Sequence, residues 1–312
     1  MKAIQINKFG APNELKLIDT PKPKITKGTV LIKVKAVGIN PIDFKTRAGS
    51  GFLQEQDLPI ILGWDVSGII EEVSSDVTEF KPQDKVFGMI NFPKAGNCYA
   101  EYIIAEPSNI VKIPDNIDFI QAAATPLAAL TAWQAMFEHA NVKKDDKILI
   151  HAGSGGVGHF AIQIAKAVGA FVYSTASKKN HDLLKKLGTD VCIDYRSEKF
   201  EDIVKDLSFV LDTVGGDSII RSAKCLQQNN GSLMSIRGRG FIKEIQEAKN
   251  LGIKAEDITV YINKKDLSEI ANLIEKGKIT PIIDQTFDIK NSAKAHEYLE
   301  TGRAKGKVVL TI

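Results

Sequence analysis

Residues 147–177 constrain the chain more than any other stretch. Lys147-Ile148-Leu149-Ile150-His151-Ala152 is a short apolar run of strand type, and it feeds directly into Gly153-Ser154-Gly155-Gly156-Val157-Gly158. A helical period follows: Val157, Phe160, Ala161, Ile164, Ala165 and Val168 recur at spacings of three and four, which gathers them on one face. Gly169 ends that helix, and Phe171-Val172-Tyr173-Ser174-Thr175 reads as the next strand. Strand, glycine turn, helix and strand form the βαβ unit that holds a dinucleotide.

Each glycine has an expected task. Gly153 permits the tight turn out of the strand, Gly155 lets backbone approach a pyrophosphate, and Gly158 lets the helix pack closely on the sheet. The first helical turn then offers N–H groups and the positive dipole end to the phosphates. An NAD site places Asp or Glu roughly 20 residues on, at the end of the second strand, to bind the ribose 2′-OH. That place reads Thr175-Ala176-Ser177-Lys178-Lys179, with no carboxylate. A carboxylate repels a 2′-phosphate, whereas lysine and serine pair with it. The expected cofactor is therefore NADP(H), although Lys178 and Lys179 also read as solvated lysines at a helix start.

The rest of the composition narrows the class. With 44% hydrophobic and 25% charged residues, the chain is an ordinary globular protein. Its 312 residues suggest two domains. A formal net charge of +3, with lysine pairs scattered among acids, argues against nucleic acid or a membrane surface as partner. Cys98, Cys192 and Cys225 give neither a disulfide framework nor a CxxC pair, which fits a reducing cytoplasm. Met1 to Ile6 reads as a first strand rather than a signal peptide, and no apolar run approaches transmembrane length.

Read in order, residues 1–122 form an irregular β domain. Val30 to Gly38 alternates like a half-buried strand, Val66 to Val73 and Lys85 to Met89 are further strands, and prolines punctuate them. From Gln121 a small, apolar segment runs as helix into Trp133 and Phe137. Strands and helices then alternate: helix 180–187, strand 191–194, helix 200–207, strand 209–214, helix 217–226, strand 233–236 and strand 258–262. That alternation predicts an α/β fold with a doubly wound parallel sheet of Rossmann type. The tail carries a helix at 266–276, a strand from Ile282 to Phe287, a helix around 291–300 and a last strand from Lys307 to Ile312. These pieces are expected to return to the first domain.

Five stretches together resemble the medium-chain dehydrogenase/reductase superfamily, in its zinc-free quinone oxidoreductase and enone reductase branch, the zeta-crystallin-like proteins. They are Gly38 to Lys45, Gly63-Trp64-Asp65-Val66-Ser67-Gly68, Ala152 to Gly158, Leu211-Asp212-Thr213-Val214-Gly215 and Gly306-Lys307-Val308-Val309. The resemblance implies a GroES-like catalytic domain from residues 1–122 and 264–312, around a Rossmann NADP-binding domain at 123–263. It also implies NADPH, a cleft between the domains and a homodimer.

Zinc alcohol dehydrogenases of that superfamily place Cys-His where this chain has Asn40-Pro41, and Gly-His-Glu where it has Gly63-Trp64-Asp65. Asn, Pro and Trp do not supply the ligands of catalytic zinc, so no metal is expected. The histidines, His139, His151, His159, His181 and His296, read as surface or packing residues. Without a Lewis acid, alcohol oxidation is disfavoured. Hydride transfer to a quinone, or to the C=C bond of a small α,β-unsaturated carbonyl, needs only donors to the oxygen that gains charge, plus positioning.

By resemblance, Asn40 and Lys45 face the nicotinamide and the acceptor. Lys45 is a candidate donor to the oxyanion or the cofactor ribose, or equally a surface lysine after Pro41; the other reading of Asn40, less favoured, is a cap of the turn before Pro41. Asp43 is expected to hold the loop by capping backbone N–H groups. Thr125 and Thr131 are placed under the cofactor, with Gly153, Ser154, Gly155, Gly156, Val157, Gly158, Val214 and Lys307 also along it. Ser177, Lys178, Lys179 and Tyr195 are expected at the 2′-phosphate; relatives often carry lysine where this chain has Asn180. Two other readings stay open: an enoyl-thioester reductase, and a non-catalytic NADPH-binding sensor or structural protein.

Overall fold

The computed structural model describes residues 1–237 and 240–312. Its elements run β1 (Lys2–Ile6), β2 (Lys16–Asp19), β3 (Val30–Ile39), α1 (Pro41–Arg47), β4 (Ile60–Ile61), β5 (Asp65–Val73), β6 (Lys85–Met89), β7 (Tyr102–Ala105), β8 (Ile110–Lys112), α2 (Phe119–Ala123) and α3 (Pro126–Gln134). Next come β9 (Lys147–Ile150), α4 (Gly158–Ala167), β10 (Phe171–Ala176), α5 (His181–Leu187), β11 (Val191–Asp194), α6 (Phe200–Ile203), β12 (Phe209–Asp212), α7 (Asp217–Ala223), β13 (Ser232–Ser235), α8 (Ile242–Asn250) and β14 (Lys254–Asp257). The chain ends with α9 (Lys264–Glu275), β15 (Ile283–Asp288), α10 (Ser292–Glu300) and β16 (Lys307–Thr311). One compact unit comprises Met1–Leu130, Tyr261–Gly277 and Pro281–Ile312; the other comprises Thr131–Val260 and Lys278–Thr280.

In the first unit a seven-stranded sheet runs β15-β16-β3-β5-β6-β8, with β7 also on β3, beside a three-stranded sheet β2-β1-β4. The C-terminal strand β16 lies antiparallel to β3, pairing Val308 with Ile39 and Val309 with Gly38. On its other side β3 pairs with β5, Gly38 opposite Asp65. This register brings the ends of three strands together: Asn40 just after Ile39, Lys307 just before Val308, and Asp65 at the start of β5. Gly38 is required there, since a Cβ would lie 2.2 Å from the Ala123 carbonyl oxygen. Trp64, Phe87 and Tyr99 fill the interior of this unit.

The expected helix from Gln121 is two helices. Asp118 starts α2 by accepting the Gln121 N–H at 2.8 Å. The chain then breaks at Thr125, because Pro126 has no N–H and disfavours helical geometry in the residue before it. Pro126 is the first residue of α3, where its missing donor costs nothing.

The second unit is a parallel sheet in the order β11-β10-β9-β12-β13-β14, the dinucleotide-binding arrangement with its reversal between β9 and β12. Leu149, Ile193, Val210, Leu233 and Ala255 give one buried layer with Ile219 and Ala223 of α7 and Ile245 and Ala248 of α8. Three expectations need correction. The sixth strand is Lys254–Asp257, paired with β13 from Ser232↔Lys254 to Ser235↔Asp257, and Ile258 to Ile262 lies beyond that ladder. The helix expected at 200–207 stops at Ile203, where Val204 turns to extended geometry and is buried as a single side chain. Helix α8 went unread, although the parallel step from β13 to β14 requires a crossover; its polar sequence with Ile245 and Ala248 inward gives only a narrow apolar stripe.

Candidate cofactor and active sites

The glycine loop joins β9 to α4 within the second unit, and its geometry reassigns the glycines. The left-handed residue of the turn is Ala152, at φ +49°, not Gly153. Gly153 lacks a side chain for a packing reason: a Cβ would lie 2.0 Å from Ser174 Oγ and 2.8 Å from Ile162 Cδ1. Gly158 packs on the loop itself, since its Cβ would meet the Ala152 carbonyl oxygen at 2.4 Å. Gly155 is open by contrast; its Cβ would have only the Ala152 carbonyl oxygen near, at 3.2 Å. The open backbone at Gly155, directly before the first turn of α4, is a cradle for a pyrophosphate, so the residues present fit a dinucleotide.

The turn is pinned from below by His151. Its ring sits between Thr175 Oγ1 at 3.2 Å and Ser222 Oγ at 2.8 Å. Thr175 Oγ1 also accepts the Ala152 N–H at 3.1 Å. Burial holds the imidazole down to about 4, so it is neutral at physiological pH. The next strand end is tied to the loop as well. Asn180 Nδ2 donates to Ser154 Oγ at 3.0 Å, and Asn180 Oδ1 is buried with no partner among the described residues. Ser177 is buried at the end of β10, while Lys178, Lys179, Tyr195 and Val214 are exposed. The Val214 N–H turns back onto Asp212 Oδ1 at 3.3 Å.

In the first unit the register of β16, β3 and β5 assembles a buried polar network. Asn40 Nδ2 donates to Asp65 Oδ2 at 2.8 Å, and Lys307 Nζ donates to Asn40 Oδ1. Lys307 Nζ lies 3.6 Å from Asp65 Oδ2, and the Leu127 N–H donates to Asp65 Oδ1 at 2.9 Å. The Asn40 backbone N–H donates to Asp43 Oδ2 at 2.6 Å, the N-cap interaction expected of Asp43. All four side chains are buried, Lys307 at 3% exposure and Asp65 at 0%.

Asn40 and Lys307, expected beside the cofactor and acceptor, have their side chains hydrogen-bonded within this network. The reason is charge: an ammonium at the start of β16 is buried only where a carboxylate balances it, and Asp65 lies 3.6 Å away. Burial raises the Asp65 carboxyl and lowers the Lys307 ammonium, each opposed by the attraction of its partner. Two N–H donors and an ammonium around Asp65 are the surroundings of an ionised carboxylate. Burial, with the Asp65 charge adding to it, pushes Asp43 up to about 8, so Asp43 is a neutral acid at physiological pH. Lys45 is half-buried on α1. Thr125 is buried, its hydroxyl donating to the Gln121 carbonyl at 2.8 Å, and Thr131 is buried on α3.

Three residues escaped the sequence reading as site elements: Asp65, which links the network; Asn180, which holds the loop; and His151, beneath it. Asp65 carried a signal, a lone acid opening an apolar strand. Asn180 carried none. Among the described residues no three His, Cys, Asp or Glu side chains converge as a metal site would require.

Comparison with known proteins agrees with this architecture. The alcohol dehydrogenase GroES-like domain family matches residues 26–115, and the zinc-binding dehydrogenase family matches residues 187–310. The chain is 36% identical to a 2-methylene-furan-3-one reductase of Solanum lycopersicum, over 99% of this chain and 79% of the relative. It superimposes on a quinone oxidoreductase from Coxiella burnetii with a TM-score of 0.94 and 43% identity, covering 100% of this chain and 99% of the other. An Escherichia coli quinone oxidoreductase, solved in complex with NADPH, matches at a TM-score of 0.87 and 27% identity, with 100% of both chains covered. On these grounds the chain belongs to the medium-chain dehydrogenase/reductase superfamily, in its quinone oxidoreductase and enone reductase branch.

Proposed function

We propose that this chain is an NADPH-dependent oxidoreductase that reduces quinones or the C=C bond of small α,β-unsaturated carbonyls without a metal. The observation that carries this reading is the full-length similarity to an enone reductase and to quinone oxidoreductases. The chain itself adds an open glycine cradle and a second strand that ends in Ser177-Lys178-Lys179 without an acid.

When bound, NADPH supplies a hydride, which the acceptor takes up with one proton to leave as a hydroquinone or a saturated carbonyl. The chain's own residues bind and orient. Gly155 and the first turn of α4 receive the pyrophosphate. Ser177, Lys178, Lys179 and Tyr195 form the polar end that meets the 2′-phosphate, where two cations favour a dianion. Thr125, Thr131 and Val214 lie along the cofactor in this reading. Lys45 donates to the oxygen that gains charge, the kind of electrostatic help that a conjugated acceptor needs.

The finer readings belong to the same proposal: a homodimer, and a cytoplasmic location in keeping with three free thiols. Among the described residues, no helix is long and apolar enough to cross a membrane.

The test is NADPH oxidation by the purified protein, followed by loss of reduced-nicotinamide absorbance. A quinone, a short enone and an acyl-CoA enoyl thioester are compared, each with NADPH and NADH. Turnover of the quinone or the enone with NADPH supports the reading. Turnover of the thioester alone, or equal use of NADH, overturns it.

A further inference from the structure

Burying one ammonium and one carboxylate is costly unless the cluster does something an apolar cluster could not. The Asp65 network has a specific connectivity. One oxygen of Asp65 takes the Leu127 N–H, a donor that α3 leaves unpaired at its own start. The other oxygen takes the Asn40 side chain, and Asn40 is the N-cap residue of α1. Lys307, brought alongside by the β16–β3 register, holds the remaining oxygen of the Asn40 amide and balances the Asp65 charge. The Asn40 amide thus faces a carboxylate with its nitrogen and an ammonium with its oxygen, which fixes its orientation. A single carboxylate ties the starts of two helices to the last strand of the chain.

We propose that Asn40, Asp65 and Lys307 are positioning residues. Together they set the N-terminus of α1, which carries Lys45, against the N-terminus of α3, which follows Thr125. In this reading their side chains act through α1 and α3 rather than directly on the cofactor or the acceptor. The functional weight of this geometry rests on the proposed oxidoreductase reading; the geometry itself does not.

The experiment uses the full chain as Lys307→Met, Lys307→Arg and the charge-balanced double variant Asp65→Asn/Lys307→Met. Three quantities are read: backbone amide exchange at Asn40 and Leu127, the NADPH dissociation constant by fluorescence, and kcat with a quinone or enone. In Lys307→Met, exchange at both amides is expected to speed up at least about tenfold, since their acceptors lose a charge-held geometry. Turnover falls by a similar factor, NADPH affinity stays within about twofold, and Lys307→Arg restores much of the turnover. Where Lys307→Met does not fold, the double variant is read in its place, with the same expectations.

A folded Lys307→Met protein with unchanged exchange overturns the proposal. So does a loss of NADPH affinity of about tenfold or more, which would mark Lys307 as a cofactor contact. A double variant that fails to fold also overturns it, because a positioning pair is dispensable to folding. A wild-type protein that holds no NADPH sinks the oxidoreductase reading instead, and amide exchange then decides the positioning question by itself.

Discussion

Asn180 reaches back to the glycine loop and donates its amide to Ser154 at 3.0 Å. Its donor nitrogen is therefore engaged with the loop, and the proposed function leaves the cation role at the 2′-end to the neighbouring lysines. The two roles separate by experiment. Asn180→Ala removes one neutral hydrogen bond, worth about 1 kcal/mol. It should weaken NADPH and NADH together by roughly fivefold, since either cofactor uses the loop. The double reversal Lys178→Glu/Lys179→Glu should weaken NADPH by at least about tenfold and leave NADH almost unchanged, with the effect shrinking in high salt. Titration of both cofactors by fluorescence checks the pair. Selective loss of NADPH in Asn180→Ala would reassign Asn180 to the phosphate.

Gly153 and Gly155 look alike in the sequence and should fail differently. Alanine at 153 puts a Cβ 2.0 Å from Ser174 Oγ, between α4 and β10, where both sides are packed. Overpacking of that kind costs about 1–3 kcal/mol and should show as a lower Tm. Alanine at 155 meets only one carbonyl oxygen at 3.2 Å, so Tm should hold while the cradle fills and NADPH binding is lost. Thermal melts with and without NADPH decide it. Equal Tm losses for the two variants would refute the division.

The pH dependence of stability follows from three buried groups with shifted titration. His151 and His296 are held down by burial to about 4 and about 3, from an ordinary 6.5. The unfolded chain binds those protons first, so stability rises with pH until about 6.5. Asp43 is raised to about 8 from 3.8, so here the folded state holds the proton and stability falls as pH climbs toward 8. Above the histidine range the Asp43 slope, about 1.4 kcal/mol per pH unit, carries the decline. The raised Asp65 carboxyl has the same sign as Asp43; the lowered Lys307 acts oppositely, in the alkaline range below 10.5. A stability maximum near neutrality is expected, with a decline of about 2 kcal/mol by pH 8. Asp43→Asn should flatten that decline. Urea unfolding across the range measures it, and an unchanged slope in Asp43→Asn would remove Asp43 from the account.

Much of the second unit was legible because its signals are local. A strand, a glycine turn and a helix in direct succession identify one βαβ unit, and alternation predicts the sheet. The misreadings arose where pattern and pairing part company. Ile258 to Ile262 has the composition of a strand, yet the ladder closes at Asp257, because position in a sheet is set by the neighbouring strand rather than by apolarity. The site in the first unit was legible only as a set of residue names. Asn40, Asp65 and Lys307 are separated by up to 267 positions, and only the β16–β3–β5 register brings them together. No local pattern reveals that a lysine near the end of the chain turns inward.

Arg47 makes a last prediction, from the other face of α1. Its guanidinium is buried at 2% exposure, and Nη2 donates to Glu300 on α10 at 2.5 Å. Nε and Nη1 have no partner among the described residues. The nearby His296 ring, held neutral by burial and by the Arg47 charge, brings no negative charge to balance the guanidinium. Among the described residues, Glu300 is thus the carboxylate that pairs with the Arg47 guanidinium. Removing it by Glu300→Ala should cost about 3 kcal/mol, because the charge left behind has nowhere to go. Arg47→Met should cost less, since its partner Glu300 is partly exposed and can turn to water. The double variant Arg47→Met/Glu300→Ala should recover most of the loss, giving a coupling energy of at least about 1 kcal/mol in a double-mutant cycle. Additive single losses would mean that buried water, and not Glu300, carries the guanidinium.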